Sequence, residues 1–482
     1  MANRYGCIAL LLLAGCGGSG GDGGPVTVPT NAAPIFTSAS SVSTVENAAL
    51  SYQAAASDAD GDALTYTIAG GADAALFSIG AAGALSFRQA PDFDNPADAD
   101  ADNVYLVQLS VSDGRTSASL PLSVTVTNSR EGIAVRRVFS GFNEPTVLAG
   151  IPGDSRFLVG ERDGSIYYFD PATNNRALFR RVGPYDPVSG APRAMGQYGL
   201  MGLAVSPDYA TDGTFYAGMD DATKHGSLWA YSHDLSGSGP LTPQNIIYID
   251  WPSGFAAKWL GFGPDNKLYF LTGDHVIIGD GTAMAEDVEL GKLFAITKNP
   301  NPGGGFSYLV NLAAKELRNP ATATFYGSTL LFGDRGNRYF GEVNRFDIGD
   351  PMLNYGWDAR EGTYGERPAG LDDTEPTLQI AFGTGPKQGR SITVGPVYLG
   401  VIASLQGLLL MADSETGKIW TAPADNLVNG ETIEAEGFAR READFVPDAG
   451  SIDGIVAMAA MPSGRYYMLD RDGELFEIQP AP

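Results

Sequence analysis

Apolar and polar residues alternate along two stretches before residue 130. In residues 105–111 every odd position is apolar, and in residues 120–127 every even position is apolar while the odd positions are not. A period of two places successive side chains on opposite faces of a strand, so that only one face is buried. The two stretches therefore predict strands of a two-sheet β-sandwich, which we place between residues 31 and 129.

A second pattern begins near residue 132 and repeats to the end of the chain. An apolar strand is followed by Gly or an acidic residue, and then by a strand rich in aromatic residues. The six copies begin at Phe157, Phe215, Leu271, Leu331, Leu410 and Met468. Six four-stranded units predict a six-bladed β-propeller over residues 132–482. A β-solenoid, the alternative, would need shorter and more regular repeats.

Length and composition agree with an all-β chain of more than one domain. The chain has 482 residues, too many for one compact core, and 62 of them are glycine, which suits many tight turns. Its 56 acidic and 31 basic residues give a formal charge of −25. Because so negative a surface repels nucleic acid and anionic lipid, we exclude a nucleic-acid partner.

The first residues resemble a bacterial lipoprotein signal. Arg4 supplies a positive charge, residues 8–13 are apolar but too few to span a bilayer, and Leu13-Ala-Gly-Cys16 has the form of a lipobox. The signal peptide is then residues 1–15. Lipid on the sulfur of Cys16 is expected to anchor the protein at the outer membrane or cell surface, facing the periplasm or exterior. An ordinary signal peptide with a chance cysteine is the alternative.

The segment that follows predicts a tether without structure of its own. Residues 16–30 are mostly Gly, Ser and Pro with few apolar side chains, which favours a flexible linker. Cys7 and Cys16 are the only cysteines. Since Cys7 leaves with the signal and Cys16 carries lipid, we expect no disulfide in the mature protein, whose stability then depends on core burial and bound ions.

The predicted sandwich carries a dense set of carboxylates. From Glu46 to Asp113 there are eleven acidic residues and one basic residue, Arg88. Most of them lie in residues 58–62 and 92–102, where Asp recurs at alternate positions. Ca²⁺ takes about six to eight oxygen ligands at flexible angles, so these runs predict calcium binding. A solvated acidic loop is the alternative.

This domain resembles the cadherin-like repeats of bacterial surface proteins, which implies a role in cell adhesion. The resemblance is carried by Ala33-Pro-Ile-Phe36, Val45-Glu-Asn47, Asp58-Ala-Asp-Gly-Asp62, Leu64-Thr-Tyr66, Pro91-Asp-Phe-Asp94, Asp102-Asn-Val-Tyr105 and Val111-Ser-Asp-Gly114. Carried over from that family, the calcium ligands are Glu46, Asp58, Asp60, Asp92, Asp94, Asp98, Asp102 and Asp113. Asp94 stands where the family usually has Glu, and a single repeat leaves the propeller or the linker to complete the site.

The propeller resembles the glucose/sorbosone dehydrogenase family, whose members oxidise sugars with pyrroloquinoline quinone (PQQ) and calcium. The motifs are Val159-Gly-Glu-Arg-Asp-Gly164, Gly199-Leu-Met-Gly202, Phe262-Gly-Pro-Asp265, Thr272-Gly-Asp274, Leu290-Gly-Lys292, Leu317-Arg-Asn-Pro320, Gly333-Asp-Arg-Gly-Asn337, Glu342-Val-Asn344, Asn354-Tyr-Gly-Trp357 and Glu361-Gly362. Each motif alone is weak, but their order along the chain is specific.

The resemblance assigns the family's site residue by residue. The histidine that acts as general base falls on Phe255, which cannot accept a proton, whereas the aspartate that orients it is kept as Asp274. Arg318 and Asn319 match the pair that hydrogen-bonds the cofactor. The metal ligands implied are the carbonyls of Gly336 and Asn337 for the cofactor's calcium, and Glu342 and the Tyr355 carbonyl for a second calcium.

Two features set this chain apart from the family. Ser414-Glu-Thr416 replaces the basic pair that binds further PQQ carboxylates, and an acidic residue is unfavourable beside a trianionic cofactor. His275 adjoins Asp274 and is a candidate substitute base, although a polar loop residue is the simpler interpretation. Three histidines and no remaining cysteine argue against a zinc site.

The sequence therefore supports two functions. In the first, a membrane-anchored lipoprotein combines a calcium-binding adhesion module with a propeller that binds carbohydrate or a cell-surface protein. In the second, the propeller is a PQQ- and calcium-dependent aldose dehydrogenase with an altered base. Phe255 favours the first function, whereas Asp274, Arg318 and Asn319 favour the second.

Overall fold

Strands dominate the secondary structure. The computed structural model describes residues 30–183, 195–234, 240–250, 257–274, 288–357, 359–365 and 373–482. Within them the one α-helix has four residues, Tyr209–Asp212. Short 3₁₀ turns lie at Ala74–Leu76, Arg130–Gly132, Ala403–Leu405, Ala424–Asn426 and Ala435–Gly437. The described part of the chain contains no helix that is both long and apolar enough to span a bilayer. The all-β prediction is confirmed.

Nine strands form the N-terminal sandwich. They are β1 (Ile35–Phe36), β2 (Ser41–Val45), β3 (Tyr52–Gln53), β4 (Ala56–Ser57), β5 (Thr65–Gly70), β6 (Phe77–Ile79), β7 (Ala84–Phe87), β8 (Val104–Ser112) and β9 (Ser117–Thr127). One sheet has the order β2-β9-β8-β5, with β2 parallel to β9, and another has the order β3-β7-β6. The pair β1-β4 forms a separate small ladder.

The buried positions of these strands are the positions at which apolar residues alternate with polar ones in the sequence. On β8 the buried side chains are Tyr105, Val107, Leu109 and Val111, and on β9 they include Val124 and its neighbours two residues away. They pack against the facing sheet in one core that also contains Phe77 and Leu85. The predicted strands are therefore confirmed, because one apolar face of each is needed to close the sandwich.

Six sheets follow in the described residues. Their strands are β10 (Ile133–Ser140), β11 (Pro145–Gly150), β12 (Phe157–Glu161), β13 (Ser165–Asp170), β14 (Asn175–Arg181), β15 (Met195–Val205), β16 (Thr214–Asp221), β17 (Gly226–Ser232), β18 (Thr242–Ile249), β19 (Ala257–Phe262), β20 (Leu268–Thr272), β21 (Leu293–Pro300), β22 (Phe306–Lys315), β23 (Pro320–Tyr326), β24 (Thr329–Arg335), β25 (Phe340–Asp347), β26 (Leu353–Asn354), β27 (Leu378–Ala381), β28 (Thr393–Val397), β29 (Leu408–Ala412), β30 (Ile419–Pro423), β31 (Ala439–Arg440), β32 (Ile455–Ala460), β33 (Tyr466–Asp470) and β34 (Glu474–Pro480). We call each sheet a blade and number the blades from the one that begins with β11.

The blades close into a ring. Blades 1 to 5 are antiparallel sheets of consecutive strands, except that β26 pairs in parallel with β22 at the edge of blade 3. Blade 6 joins both ends of the domain, since β10 pairs with β34 from Ile133–Pro480 to Ser140–Glu474. The first strands β11, β15, β19, β23, β28 and β32 contact one another in succession, and β32 contacts β11. Sealing the ring with the first strand secures the propeller without a disulfide.

The second strand of each blade is buried on both faces. Every residue of β12, β16, β20 and β33 is buried, and in β24 and β29 only the terminal residues Arg335 and Leu408 are half-buried. Apolar side chains from adjacent blades fill the space between sheets, as where Val147 and Leu200 pack with Phe215 and Trp229. Such strands read as continuous apolar runs, which is the repeat found in the sequence.

Candidate functional site

An acidic residue stands at the end of the second strand in several blades and holds the start of the first strand. The Asp334 carboxylate accepts the backbone N–H groups of Arg318 and Asn319 at 2.9 and 2.6 Å. Asp470 accepts those of Asp453 and Gly454 at 2.8 and 3.0 Å. Glu161 and Asp413 make the same contact with Asn143 and Arg390. The acid in the repeat thus has a structural role, because it satisfies backbone donors where a strand begins.

Asp274 occupies this position in blade 3 and is engaged on two sides. Its Oδ2 accepts the indole N–H of Trp357 at 2.7 Å, and its own N–H donates to the Arg318 carbonyl at 2.7 Å. The side chain is buried. Trp357 in turn lies under the Arg318 guanidinium, 5.3 Å from its carbon. The predicted catalytic residue and the predicted cofactor-binding arginine are therefore brought together, with Trp357 between them.

Arg318 is the centre of the polar site. Its Nη1 donates to the carbonyls of Arg335 and Gly336 at 2.9 and 2.6 Å, and its Nη2 donates to Asn337 Oδ1 at 3.2 Å. The Gly336 carbonyl and the Asn337 side chain belong to the pair of residues that the resemblance assigns to calcium. In this structure a protein cation supplies the positive charge at those two residues.

Asn319 points its side chain into the same region. Its Oδ1 is buried and accepts no hydrogen bond from any residue that the structure describes. A buried acceptor left without a donor costs about 1–3 kcal/mol, so this oxygen is a candidate for a ligand contact. The predicted pair of Arg318 and Asn319 thus contains one engaged and one available side chain.

The proton acceptor that the family requires falls on residues outside the description. Phe255 and His275 both lie in segments that the structure does not describe. The other two histidines are in blade 2 and have partners. His225 lies 3.6 Å from the Asp221 carboxylate, and His233 hydrogen-bonds the Tyr209 hydroxyl at 2.8 Å.

The second predicted calcium site rests on Glu342. This side chain is buried, and it accepts Gly362 N–H at 2.6 Å and the Asn344 amide at 3.3 Å. Burial, together with the charge of Asp334, raises the pKa of Glu342 to about 8. Tyr355 is also buried, with its hydroxyl donating to the Arg345 carbonyl. Glu342 belongs to none of the close carboxylate groups that the described residues form.

Glu415, which the resemblance places where the family has a basic pair, forms an ion pair with a neighbouring arginine. Its carboxylate lies 2.8 Å from the Arg335 guanidinium. The positive charge of Arg335 is therefore offset before any anionic ligand arrives.

A small cavity of about 280 Å³ opens beside Trp357. Tyr339 and Tyr364 stand at its edge with ring centroids 4.2 Å apart, and they are 40% and 56% exposed. Asn337 and Arg338 add polar groups to the wall. Exposed aromatic rings that face a pocket are suited to the C–H face of a sugar ring, since they bury apolar area at small conformational cost.

The predicted calcium ligands of the sandwich do not form one site. The close groups are Glu46, Asp92 and Asp94; Asp58, Asp60 and Asp62; and Asp98, Asp100 and Asp102, with carboxylate oxygens within 4.8 Å in each. Asp113 stands apart, accepting Thr116 and Arg115 N–H groups and the Asn31 amide. These donors hold the pKa of Asp113 well below its usual range.

The group at Glu46 meets the propeller. Arg441 Nη1 lies 3.0 Å from Asp94 and 2.7 Å from Glu131, and its Nε lies 3.1 Å from Asp444. Glu46 is itself satisfied by the Phe93 and Ser129 N–H groups, each at 2.8 Å. A guanidinium from blade 5 thus neutralises the carboxylates at which the resemblance implies calcium. We call Asp94, Glu131, Arg441 and Asp444 the arginine hub.

The other two groups have unmet acceptors. Asp58 Oδ2 and Asp98 Oδ1 are buried and receive no hydrogen bond from the described residues. Repulsion from Asp102, followed by a hydrogen bond with Asp98, raises the pKa of Asp100. A bound cation would satisfy the unmet oxygens and offset the repulsion between carboxylates. These two groups therefore fit calcium better than the group at Glu46.

The arginine hub was missed by the sequence reasoning. Arg441 and Asp444 lie in no repeat motif, and 347 residues separate Arg441 from Asp94. The only local signal is the spacing of a cation and an acid three positions apart, which is common on any chain. A contact of this range depends on how the two domains dock.

Comparisons with known proteins agree with this architecture. A family model described as Glucose / Sorbosone dehydrogenase matches residues 142–382, half of the chain, and one described as Bacterial Ig domain matches residues 31–127. The predicted sugar-dehydrogenase-like propeller behind a β-sandwich is confirmed. The sandwich, predicted as cadherin-like, matches the bacterial Ig domain, and calcium binding stays a prediction. No curated protein matches the chain.

Solved structures with a similar fold include two sugar dehydrogenases. The PQQ-bound aldose sugar dehydrogenase of Streptomyces coelicolor has a TM-score of 0.52 and 23% identity, over 72% of this chain and 98% of that one. The apo form of the soluble aldose sugar dehydrogenase of Escherichia coli has a TM-score of 0.52 and 18% identity, over 72% and 99%. At these identities the likeness establishes the fold.

Proposed function

Because the chain belongs to the glucose/sorbosone dehydrogenase family, we propose that its propeller binds a sugar without oxidising it. The observation that carries this proposal is the cavity beside Trp357, which has the exposed pair Tyr339 and Tyr364 at its edge. The aromatic rings would contact the apolar face of the sugar, and the polar wall would bind its hydroxyl groups.

The residues around Arg318 do not fit PQQ well. The guanidinium already has three acceptors, Arg335 is paired with Glu415, and Phe255 stands where the family has its base. A cofactor with several carboxylates would have to displace these contacts, and it would lie near the Glu415 carboxylate. This disagreement supports binding over turnover.

Aldose oxidation with PQQ is the second candidate, and one observation favours it. The buried Asn319 Oδ1 has no donor among the described residues, and Asp274 is kept beside Arg318. If the Arg318 guanidinium released the Gly336 carbonyl, both Arg318 and Gly336 would become free to bind a cofactor.

A titration separates the two candidates. The purified chain is mixed with PQQ and Ca²⁺, bound cofactor is measured by absorbance, and dye reduction is followed with a panel of aldoses. We expect no turnover, and Phe255→His should not create it, because the cofactor contacts are also lost. Dye reduction by either form would establish the dehydrogenase instead.

Sugar binding is tested directly by saturation-transfer NMR. Tyr364→Ala should abolish transfer to the sugar, and Tyr326→Ala, on the far end of blade 4, should retain it. Equal transfer in both variants would rule out the cavity beside Trp357.

For the N-terminal domain we propose a calcium-binding adhesion module on a lipid-anchored chain. The unmet oxygens of Asp58 and Asp98 support the calcium sites, and the Leu13–Cys16 motif supports the anchor. A Cys16→Ala variant should leave the membrane fraction and appear in the soluble extract. If it stays with membranes, the anchor lies elsewhere. We expect the partners of the N-terminal domain to be calcium and a carbohydrate or protein on a facing cell surface.

A further inference from the structure

We propose that a second sugar site lies between the two domains, in a cavity of about 670 Å³. The sandwich contributes Asn95, Pro96 and Ala101, and the propeller contributes residues of blades 4 and 5. Ligand sites of small organic molecules have volumes of about 300–1,000 Å³, so the cavity has room for a short oligosaccharide. The site is distinct from the cavity beside Trp357 and goes beyond the function proposed above.

The walls of this cavity are held in place by contacts across the domain junction. Lys387 Nζ donates to Asn95 Oδ1 and to the Ala435 carbonyl, each at 2.7 Å. Next to the cavity, Arg441 pairs with Asp94. A pocket fixed by bonds from both sides loses little freedom when a ligand binds, which favours affinity.

Three polar groups of the lining are available to a ligand. The amide nitrogens of Asn95 and Gln388 can donate, and the exposed carboxylate of Glu436, which is attracted to the charge of Lys387, can accept. The Asn95 and Gln388 oxygens, by contrast, already accept from Lys387 and from Gly385 N–H. Donors and an acceptor around one cavity match hydroxyl groups, each of which both donates and accepts.

Charge and shape narrow the class of ligand. The lining has two cations, Lys387 and Arg440, and two carboxylates, Glu434 and Glu436, so it carries no net charge. On a chain of net charge −25 an anionic ligand is disfavoured at long range. Phe340 and two prolines add apolar surface. A neutral, polyhydroxylated ligand with apolar ring faces meets all of these conditions.

The two cavities are near each other but share no lining residue. Tyr339 lines the small cavity and Phe340 lines the large one. The Phe340 N–H donates to Glu361, which also forms the wall of the small cavity. One polysaccharide that reached both sites would be held with greater avidity than either site gives alone.

The test is isothermal titration of the full chain with maltotriose, cellotriose and tri-N-acetylchitotriose. Binding of at least one is expected, and Glu436→Ala should weaken it about tenfold, as loss of a charged acceptor predicts. Glu431→Ala removes the same charge outside the lining and should leave the affinity unchanged. Because Glu436 and Glu431 are both exposed, neither change is expected to unfold the protein.

A cross-check separates this site from the cavity beside Trp357. Tyr364→Ala should preserve the binding that Glu436→Ala weakens. If Tyr364→Ala alone abolishes binding, the interdomain cavity is not a sugar site, while the function proposed for the propeller stands. If no trisaccharide binds at millimolar concentration, or if triglycine binds as well as the sugars, the inference is wrong.

Discussion

Arg441 of the propeller lies 3.0 Å from Asp94 of the sandwich, and this ion pair is buried at the junction of the two domains. The same guanidinium contacts Glu131 and Asp444, so that one positive charge serves three carboxylates. Burial, and next the hydrogen bond with Asp444, raise the pKa of Asp94 to about 9. Burial and the neighbouring Asp444 therefore favour the neutral form of Asp94, which lessens the negative charge that the one guanidinium has to offset.

Replacing Arg441 with Met should destabilise the protein strongly. Removing one partner of a buried ion pair leaves uncompensated charge and costs about 3–5 kcal/mol. Urea unfolding of the full chain measures the loss, and small-angle scattering should show that the domains separate.

Arg440→Met is the matched control for this experiment. Arg440 is half-exposed and pairs with Glu442, so its loss should cost about 1 kcal/mol or less. Equal stability of the two variants would mean that the arginine hub does not join the domains.

Calcium should stabilise the sandwich through the groups at Asp58 and Asp98. At about one hundred times the dissociation constant a ligand adds about 2.7 kcal/mol of stability. The double variant Asp58→Asn, Asp98→Asn should lose the calcium-dependent rise in melting temperature, which chelator reverses in the parent protein.

Glu46→Gln tests the contrasting group in the same assay. Glu46 is occupied by backbone donors, so the change should lower the melting temperature yet leave the calcium response intact. A calcium response lost in Glu46→Gln and kept in the double variant would place the calcium site at Glu46, Asp92 and Asp94 instead.

The fold could be predicted because its signals are local. The alternation at Tyr105–Val111 and the recurring apolar strand before an acid are each contained in a few residues, and burial of one or both faces produces them. The acid of the repeat was recognised as part of the pattern, but the backbone N–H groups that it binds could not be predicted. Asp334 binds Arg318 N–H sixteen residues away, a contact set by the hairpin geometry.

The candidate site was predicted only as a set of residues. Asp274, Arg318, Asn319 and Gly336 do lie in one region, but the motifs do not say which group each side chain contacts. Whether Arg318 faces a ligand or the Gly336 carbonyl depends on rotamers and on Trp357, which lies in the loop after β26. For the same reason the interdomain cavity has no signal in the sequence, since residues far apart in the chain line it.

Gly336 should not tolerate a side chain. A Cβ atom there would lie 2.4 Å from Glu361 Oε1 and 2.4 Å from the Phe340 carbonyl. Gly336→Ala is expected to cost about 1–3 kcal/mol and to displace the carbonyl that Arg318 binds. Thermal unfolding measures the cost. Gly303→Ala, where a Cβ meets nothing within 4 Å, should be neutral, and a Gly336→Ala variant as stable as Gly303→Ala would contradict the packing described here.

Because of Asp470, the free energy of unfolding should fall as the pH rises from about 4 to about 7. Burial raises its pKa to about 6, whereas in an unfolded chain Asp titrates near about 3.9. The folded protein therefore binds more protons in this window, so the contribution is fully present below about pH 4 and is lost as pH rises through 6. The difference corresponds to about 3 kcal/mol.

Asp470→Asn isolates this effect. The amide oxygen can still accept the Asp453 and Gly454 N–H groups, but the side chain does not titrate. Relative to the variant, the parent protein should lose stability steadily from pH 4 to pH 7 in urea unfolding. Asp472→Asn, on the exposed turn beside it, removes a minor cause of this raised pKa and should keep most of the slope of the parent. A constant difference between parent and Asp470→Asn across this range would show that Asp470 is ionised at low pH, and that its three backbone donors outweigh burial.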